Sequence, residues 1–220
     1  QDSECIAAQN SSSIECGDAH RFTYDYAFPP ATTNEQLYTT AVSPLLDAVF
    51  RGYNATIMAY GQTGSGKTFT MGTDATAATG SSNLTLGVLP RFVNDLFSAM
   101  KSKGEDHKYT VSCSLLEIYN DQMRDLLVDK NKTIPQLKLD TAKAGHVTVH
   151  GLNYRPVACP DDVLKVLSEG LSERVVGATN MNAVSSRSHA IFEINFSSAA
   201  AEGVSAEDAE APFQSKITFV

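Results

Sequence analysis

No run of apolar residues in this chain is long enough to span a bilayer. No charged, apolar and small-residue succession of the secretory type opens it. A membrane partner is therefore not expected. The four cysteines, Cys5, Cys16, Cys113 and Cys159, lack metal-ligand spacing, and the five histidines are equally scattered, so no zinc site is proposed. Free thiols in a reducing cytosol fit this usage. Tryptophan is missing, no internal repeat occurs, and positive charge is in deficit: the net charge is −8. That balance argues against nucleic acid as the main partner. What remains is ordinary globular composition, 42% hydrophobic and 19% charged over 220 residues, enough for one large domain.

The organising stretch is Ala55 to Met71, ATIMAYGQTGSGKTFTM. Ala55 to Tyr60 has strand character. Gly61, Gln62, Thr63, Gly64, Ser65, Gly66, Lys67 and Thr68 then match G-x-x-x-x-G-K-[ST], the phosphate-binding loop. A strand that turns through glycines and restarts as a helix leaves backbone N–H groups and a positive helix end facing one concavity, which suits an anion. Gly61, Gly64 and Gly66 are expected to supply positive φ and close approach. Lys67 would reach the β- and γ-phosphates, and Thr68 would put its hydroxyl on a Mg²⁺ ion. A glycine-rich structural turn with a surface lysine is the plain alternative.

Around this loop, residues 1 to 20 read as one or two weak edge strands with loops. Arg21 to Phe28 reads as a strand with alternating aromatics, ended by Pro29-Pro30. Thr33 to Gln36 fits a capping box, and Pro44 should bend the helix that follows or mark its real start, with Gly52 closing it. Thr73 to Thr85 reads as a polar loop. Leu89, Phe92, Val93, Leu96, Phe97 and Met100 form one helical face. Tyr109 to Leu115 alternates as a long strand, and Gln122 to Leu127 reads as a short helix. Residues 130 to 150 read as a hairpin turning at Ala144-Gly145. Pro160, Asp161 and Asp162 open a helix that runs past Gly170. Ala190 to Phe196 and Ile217 to Val220 read as strands, with Ala199 to Pro212 a mobile acidic loop between them. Alternating strands and helices around a phosphate loop give an α/β class: a mixed, mostly parallel central sheet flanked by helices.

A second motif, NMNAVSSRSHAIF, runs from Asn180 to Phe192. Its Ser/His pair lacks the G-x-S-x-G elbow of a hydrolase. A plain polar loop is one reading. In a nucleotide-binding protein, hydroxyls and an amide just before a strand also suit a switch that senses the γ-phosphate.

GYNATIMAYGQTGSGKTFTMG, SLLEIYNDQMRDLL, VGATNMN and SSRSHAIF together resemble a kinesin motor domain, in that family's order and spacing, from about Phe22 to Val220. GYNAT and FQSK are similar to the chromokinesin-type subfamily. The resemblance implies an ATP-driven, microtubule-stimulated motor in the cytoplasm and on the microtubule cytoskeleton, with ATP and Mg²⁺ as ligands. It implies that Phe69 stacks on adenine, that Ser186 joins Thr68 on the Mg²⁺, and that Asn182 contacts the γ-phosphate. Ser185 would organise the attacking water, and Arg187 would pair with a glutamate of a second switch. It places tubulin contacts on the 130 to 150 hairpin, where Lys130, Lys132, Lys138 and Lys143 face Asp140 alone; of these, Lys138 and Lys143 are the candidates. A solvated charged hairpin is the alternative there. Leu139 to Ala142 departs from the acidic, Pro-containing string common in that hairpin.

The resemblance also implies that residues 1 to 220 are part of a motor domain. Its first strand would precede Gln1. Its second switch, main microtubule-binding helix and neck linker would follow Val220. By itself the chain is then not expected to turn over ATP, and a dimer of the full-length protein through a coiled coil outside this chain is left open. Two other classes compete: a microtubule-binding module without hydrolysis, and an unrelated nucleotide hydrolase such as a small GTPase. Intact Lys67, Thr68, Ser185 and Ser186 speak against the first. The missing Asn-Lys-x-Asp string speaks against the second.

Overall fold

A computed structural model describes residues 6–10, 12–16, 20–73, 86–103, 107–128, 136–141, 147–176, 188–200 and 211–220. The N-terminal part is a three-stranded antiparallel sheet of β1 (Ile6–Asn10), β2 (Ser13–Cys16) and β3 (His20–Thr23). The strand expected over Arg21 to Phe28 therefore stops at Thr23. Its partner runs out first: Thr23 pairs with Ser13, the first residue of β2, and Tyr24 N–H makes one last bond to the Ser12 carbonyl at 2.8 Å.

The capping box at Thr33 forms as expected, with Gln36 N–H donating to Thr33 Oγ1 and Thr33 N–H donating to Gln36 Oε1. It opens α1 (Asn34–Leu37), which widens into a π-helical turn over Tyr38–Val42 and restarts as α2 (Leu45–Val49). Pro44 has no N–H to continue the ladder. Ser43 N–H instead reaches the Tyr38 carbonyl five residues back, at 2.8 Å. Gly52 follows at φ 82°, the left-handed conformation that glycine tolerates best.

Among the described residues, the central sheet has six strands. They are β4 (Ala55–Ile57), β5 (His107–Tyr119), β6 (Gln122–Asp125), β9 (Arg155–Val157), β10 (Ser188–Ala200) and β11 (Phe213–Phe219). The order is β4-β11-β10-β5-β6, with β9 also pairing with β5. A separate hairpin joins β7 (Lys138–Asp140) to β8 (Thr148–His150). The helices are α3 (Lys67–Met71), α4 (Val88–Ser102) and α5 (Pro160–Val176).

The α/β class and the mixed sheet flanked by helices hold. The sheet is not mostly parallel: among the described strands, only β4 and β11 run parallel, and the other pairings of the central sheet are antiparallel. One of these pairings, β5 with β6, is enforced by a short connection. Asn120 (φ 49°) and Asp121 (φ 59°) make a tight two-residue turn between β5 and β6. Both central residues of such a turn need positive φ, which Asn and Asp accept more readily than most residues. The same turn overturns the short helix expected over Gln122 to Leu127: Gln122–Asp125 is a strand, and Leu126 N–H bonds to the Leu115 carbonyl.

Phe192, Ile194 and Phe196 of β10, Val111, Cys113 and Leu115 of β5, and Ile217 and Phe219 of β11 point to one side of the sheet. They meet Val88, Leu89, Phe92, Val93, Leu96 and Phe97 of α4 and Val163, Val166 and Leu167 of α5 in one core cluster. Each fully buried side chain of this size contributes about 1.5–3 kcal/mol. Pro90 sits in the first turn of α4, where its missing N–H leaves no gap in the ladder. Gly170 lets α5 lie on β5, since a Cβ there would sit 2.5 Å from Leu115 Cδ2. Burial raises the Cys113 thiol to about 12, so it acts as a small core hydrophobe. No helix among the described residues is long and apolar enough to cross a membrane.

The polar segment from Thr73 and the acidic loop lie, but for their ends, outside the described residues, as do Lys130, Lys132 and Lys143. Ala199 and Ala200, expected in that loop, belong to β10.

Candidate phosphate-binding site

β4 is short, but its pairing continues: Val220 N–H bonds to the Ile57 carbonyl and Ala59 N–H to the Val220 carbonyl, at 2.9 and 3.0 Å. The strand expected over Ala55 to Tyr60 is thus a three-residue ladder extended by these two bonds. The glycine loop leaves at the carboxyl end of β4, beside the carboxyl end of its parallel neighbour β11. Ligands of α/β sheets collect at such edges.

Gly64 and Gly66 take φ of 80° and 91°. Gly61 does not, contrary to expectation; its lack of a Cβ matters for space, because a Cβ there would lie 2.5 Å from Ser65 Oγ. Lys67 opens α3, and its ammonium donates to the carbonyls of Gly61 (2.7 Å) and Gln62 (2.8 Å), which holds the charge over the loop. Gln62, Thr63, Ser65, Thr68 and Phe69 are exposed. Phe69 is 54% exposed, open enough for a flat ligand to stack on its ring.

The backbone of Phe69 is fixed by a residue that sequence reasoning passed over. Buried Asn34, in the first turn of α1, donates from Nδ2 to the Phe69 carbonyl at 3.2 Å. The end of α3 is fixed by glycines: a Cβ on Gly72 would lie 2.7 Å from Gly87 Cα, so the end of α3 and the start of α4 touch backbone to backbone. Neither contact has a local sequence signal. The Tyr38 hydroxyl donates to Asp95 Oδ2 at 2.6 Å, and burial together with that carboxylate pushes the phenol well above its usual range.

Asn182, Ser185, Ser186 and Arg187 lie outside the described residues. The strand that follows them is informative. Phe192 of β10 pairs with Phe219, which pairs with Ile57 of β4. β10 runs antiparallel to both, so its first residue, Ser188, stands at the edge where the glycine loop leaves β4. The glycine loop and the start of β10 thus share one edge of the sheet.

Among the described residues, no group of three or more His, Cys, Asp or Glu is arranged to hold a metal. The hard oxygen donors at the loop are the exposed hydroxyls of Thr63, Ser65 and Thr68. That suits a small divalent cation carried largely by the oxygens of its own ligand.

Lys138, on β7, is exposed and pairs across the hairpin with His150. His150 Nε2 lies 3.2 Å from Asp140 Oδ2.

A strand, a glycine loop with a lysine over it and a helix start, at the carboxyl edge of an α/β sheet, define a phosphate-loop nucleotide-binding protein. The kinesin motor domain family model matches residues 2–220, and the chain belongs to the kinesin motor domain family. The chain is 39% identical over 207 residues to the chromosome-associated kinesin KIF4 of Mus musculus, covering 94% of this chain and 16% of that protein. It is 40% identical to chromosome-associated kinesin KIF4A of Homo sapiens, with the same coverage. It is 41% identical to the kinesin-like protein Klp61F of Drosophila melanogaster, over 79% of this chain and 16% of that protein. A solved fast kinesin, whose structure bears on ATPase mechanism and interactions with microtubules, superposes with a TM-score of 0.82 at 31% identity. It matches over 98% of this chain and 58% of its own. The chain spans about a sixth of the length of the curated relatives it matches.

Proposed function

We propose that this chain carries the nucleotide site of an ATP-driven microtubule motor and that the full-length protein couples ATP hydrolysis to movement along microtubules. The observation that carries the reading is the Gly61–Thr68 loop, with Lys67 over it, at the sheet edge where β10 begins. Kinesin membership supports it.

In this reading the N–H groups of Gly61 to Thr68 and the Lys67 ammonium bind the phosphates, and Phe69 stacks on adenine. Thr68 and Ser186 hold a Mg²⁺, which offsets the negative charge of the phosphoryl oxygens. Asn182 contacts the γ-phosphate, Ser185 orients the attacking water, and Arg187 pairs with a carboxylate outside this chain. The work left to the protein is positioning and charge stabilisation. Lys138 and Lys143 contact tubulin. The protein belongs to the microtubule cytoskeleton in the cytoplasm, without a membrane partner and without nucleic-acid contact through this region.

Two outcomes test the roles. In the full-length protein, Ser186→Ala should bind ATP normally and hydrolyse it slowly in single-turnover assays; an unchanged rate removes the role given to Ser186. Neutralising Lys138 and Lys143 together should raise the microtubule concentration for half-maximal ATPase and leave the basal rate intact. Each surface contact contributes about 1 kcal/mol at most, and less in high salt. An unchanged microtubule dependence at low salt makes the hairpin a solvated charged turn.

A further inference from the structure

The two halves of the proposed nucleotide site are held in different ways. The phosphate half is closed on itself. Lys67 Nζ bonds back to the carbonyls of Gly61 and Gln62, Ser65 N–H to the Gln62 carbonyl at 3.2 Å, and Thr70 N–H to the Gly66 carbonyl at 2.8 Å. Each of these bonds spans 6 residues or fewer. The half that carries Phe69 is not closed in this way. α3 has 5 residues and ends at Gly72, which is left-handed at φ 75°. There the ladder folds back: Gly72 N–H donates to the Thr68 carbonyl at 2.9 Å, and Thr73 N–H to the same carbonyl at 3.2 Å. In a continuing helix, Thr73 N–H would serve the Phe69 carbonyl instead. That carbonyl is thus one of the last-turn acceptors that a helix must satisfy from outside itself. Asn34, 35 residues earlier in the chain, does so: its Nδ2 donates to the Phe69 carbonyl at 3.2 Å.

The donor has little freedom. Asn34 is 7% exposed. It is the first residue of α1, directly after the Thr33 cap, and its own carbonyl accepts from Tyr38 N–H. Tyr38 in turn ties this turn to α4 through its hydroxyl on Asp95. A buried side-chain amide is costly without a partner, so the Asn34 amide and the Phe69 carbonyl hold each other. The Phe69 side chain itself stays open to solvent beside the loop. Its backbone is therefore fixed and its ring is free to meet a ligand.

We propose that Asn34 is a positioning residue for the base of the nucleotide: by holding the Phe69 carbonyl it sets the platform on which the base stacks, and it leaves the phosphate contacts to the glycine loop. The inference rests on the function proposed above, because it concerns the same site. Asn34 does not touch the ligand; it acts through the backbone of Phe69. Without the amide, the Phe69 carbonyl turns toward water and the last turn of α3 loosens. A stacking base must then re-order that turn, and binding weakens. Phosphate binding is spared, because the bonds that shape the loop are its own.

The test measures two affinities by calorimetry in the full-length protein with Mg²⁺: for ATP, which has a base, and for inorganic triphosphate, which has none. Asn34→Leu keeps a side chain of similar size and removes the donor. It should weaken ATP binding about fivefold, the size of one ordinary hydrogen bond, and leave triphosphate binding within about twofold of wild type. In steady state, KM for ATP should rise by more than kcat falls. Thermal midpoints are read alongside. If Asn34→Leu does not fold, Asn34→Ala, which favours the helix and also lacks the donor, decides with the same two ligands. Equal weakening toward ATP and triphosphate overturns the inference and makes Asn34 a general support of α3. Unchanged affinity for ATP overturns it as well. A wild-type protein that binds ATP no more tightly than triphosphate overturns the adenine contact of the function itself, and the inference with it.

Discussion

Lys67→Ala in the full-length protein should lose ATP turnover and bind ATP about ten- to a hundredfold more weakly, the effect of one charge-assisted contact of roughly 1.5–3 kcal/mol. The lysine head is already over the loop, fixed by the carbonyls of Gly61 and Gln62. It therefore loses less side-chain freedom on meeting a phosphate than a free surface lysine does. Alanine takes away both the charge and this pre-placement. The fold should survive, because the two bonds lost are to carbonyls of the largely exposed loop and no core residue is touched. Nucleotide titration and phosphate release measure the effect, and a thermal melt controls for folding. Wild-type turnover in the variant would remove the phosphate loop from the mechanism.

Gly87→Ala should destabilise the protein and weaken nucleotide binding together. A Cβ at Gly87 would lie 2.2 Å from Gly72 N, 2.3 Å from Gly72 Cα and 2.5 Å from the Met71 carbonyl carbon. All three are backbone atoms and cannot swing aside. The Gly87 backbone is ordinary extended chain, φ −78° and ψ −172°, so alanine is opposed there by space alone. Either α4 retreats from the core or the end of α3 moves. Overpacking of this kind costs about 1–3 kcal/mol, sometimes more, and about 2–4 °C of thermal midpoint per kcal/mol in a protein of this size. Moving α3 also displaces Thr68 and Phe69, so affinity should fall with stability. Gly72→Ala should be worse, because Gly72 also has a φ of 75°. A variant at Gly87 that melts and binds like wild type would show that the two helix ends have room to part.

The parts of this fold that sequence reasoning reached are those whose cause is local. The phosphate loop was legible because the chemistry needs glycines and a lysine at set spacing. α4 was legible because Leu89, Phe92, Val93 and Leu96 repeat with the helix, and β5 and β10 because their apolar residues alternate. The capping box at Thr33 needed only its own four residues. Elsewhere the reading misled: Gln122 to Leu127 was expected as a short helix, and the Asn120-Asp121 turn decided for a strand. The sheet's direction was misjudged because parallel pairing was inferred from the alternation of strands and helices around the phosphate loop, while the pairings of β10 with β5 and β11 are made between strands far apart in sequence. The supports of the site were not legible at all. Asn34 reaches Phe69 and Gly72 meets Gly87 only after the chain has folded. Residues so far apart in sequence carry no pattern that announces their meeting.

The measurement that bears most directly on the account is steady-state phosphate release by the full-length protein, with and without polymerised microtubules, at saturating ATP and low salt. The account predicts a slow basal rate that microtubules raise severalfold or more, and loss of both rates in Lys67→Ala. Microtubule binding with no stimulation of phosphate release, or release that is indifferent to Lys67, would contradict it.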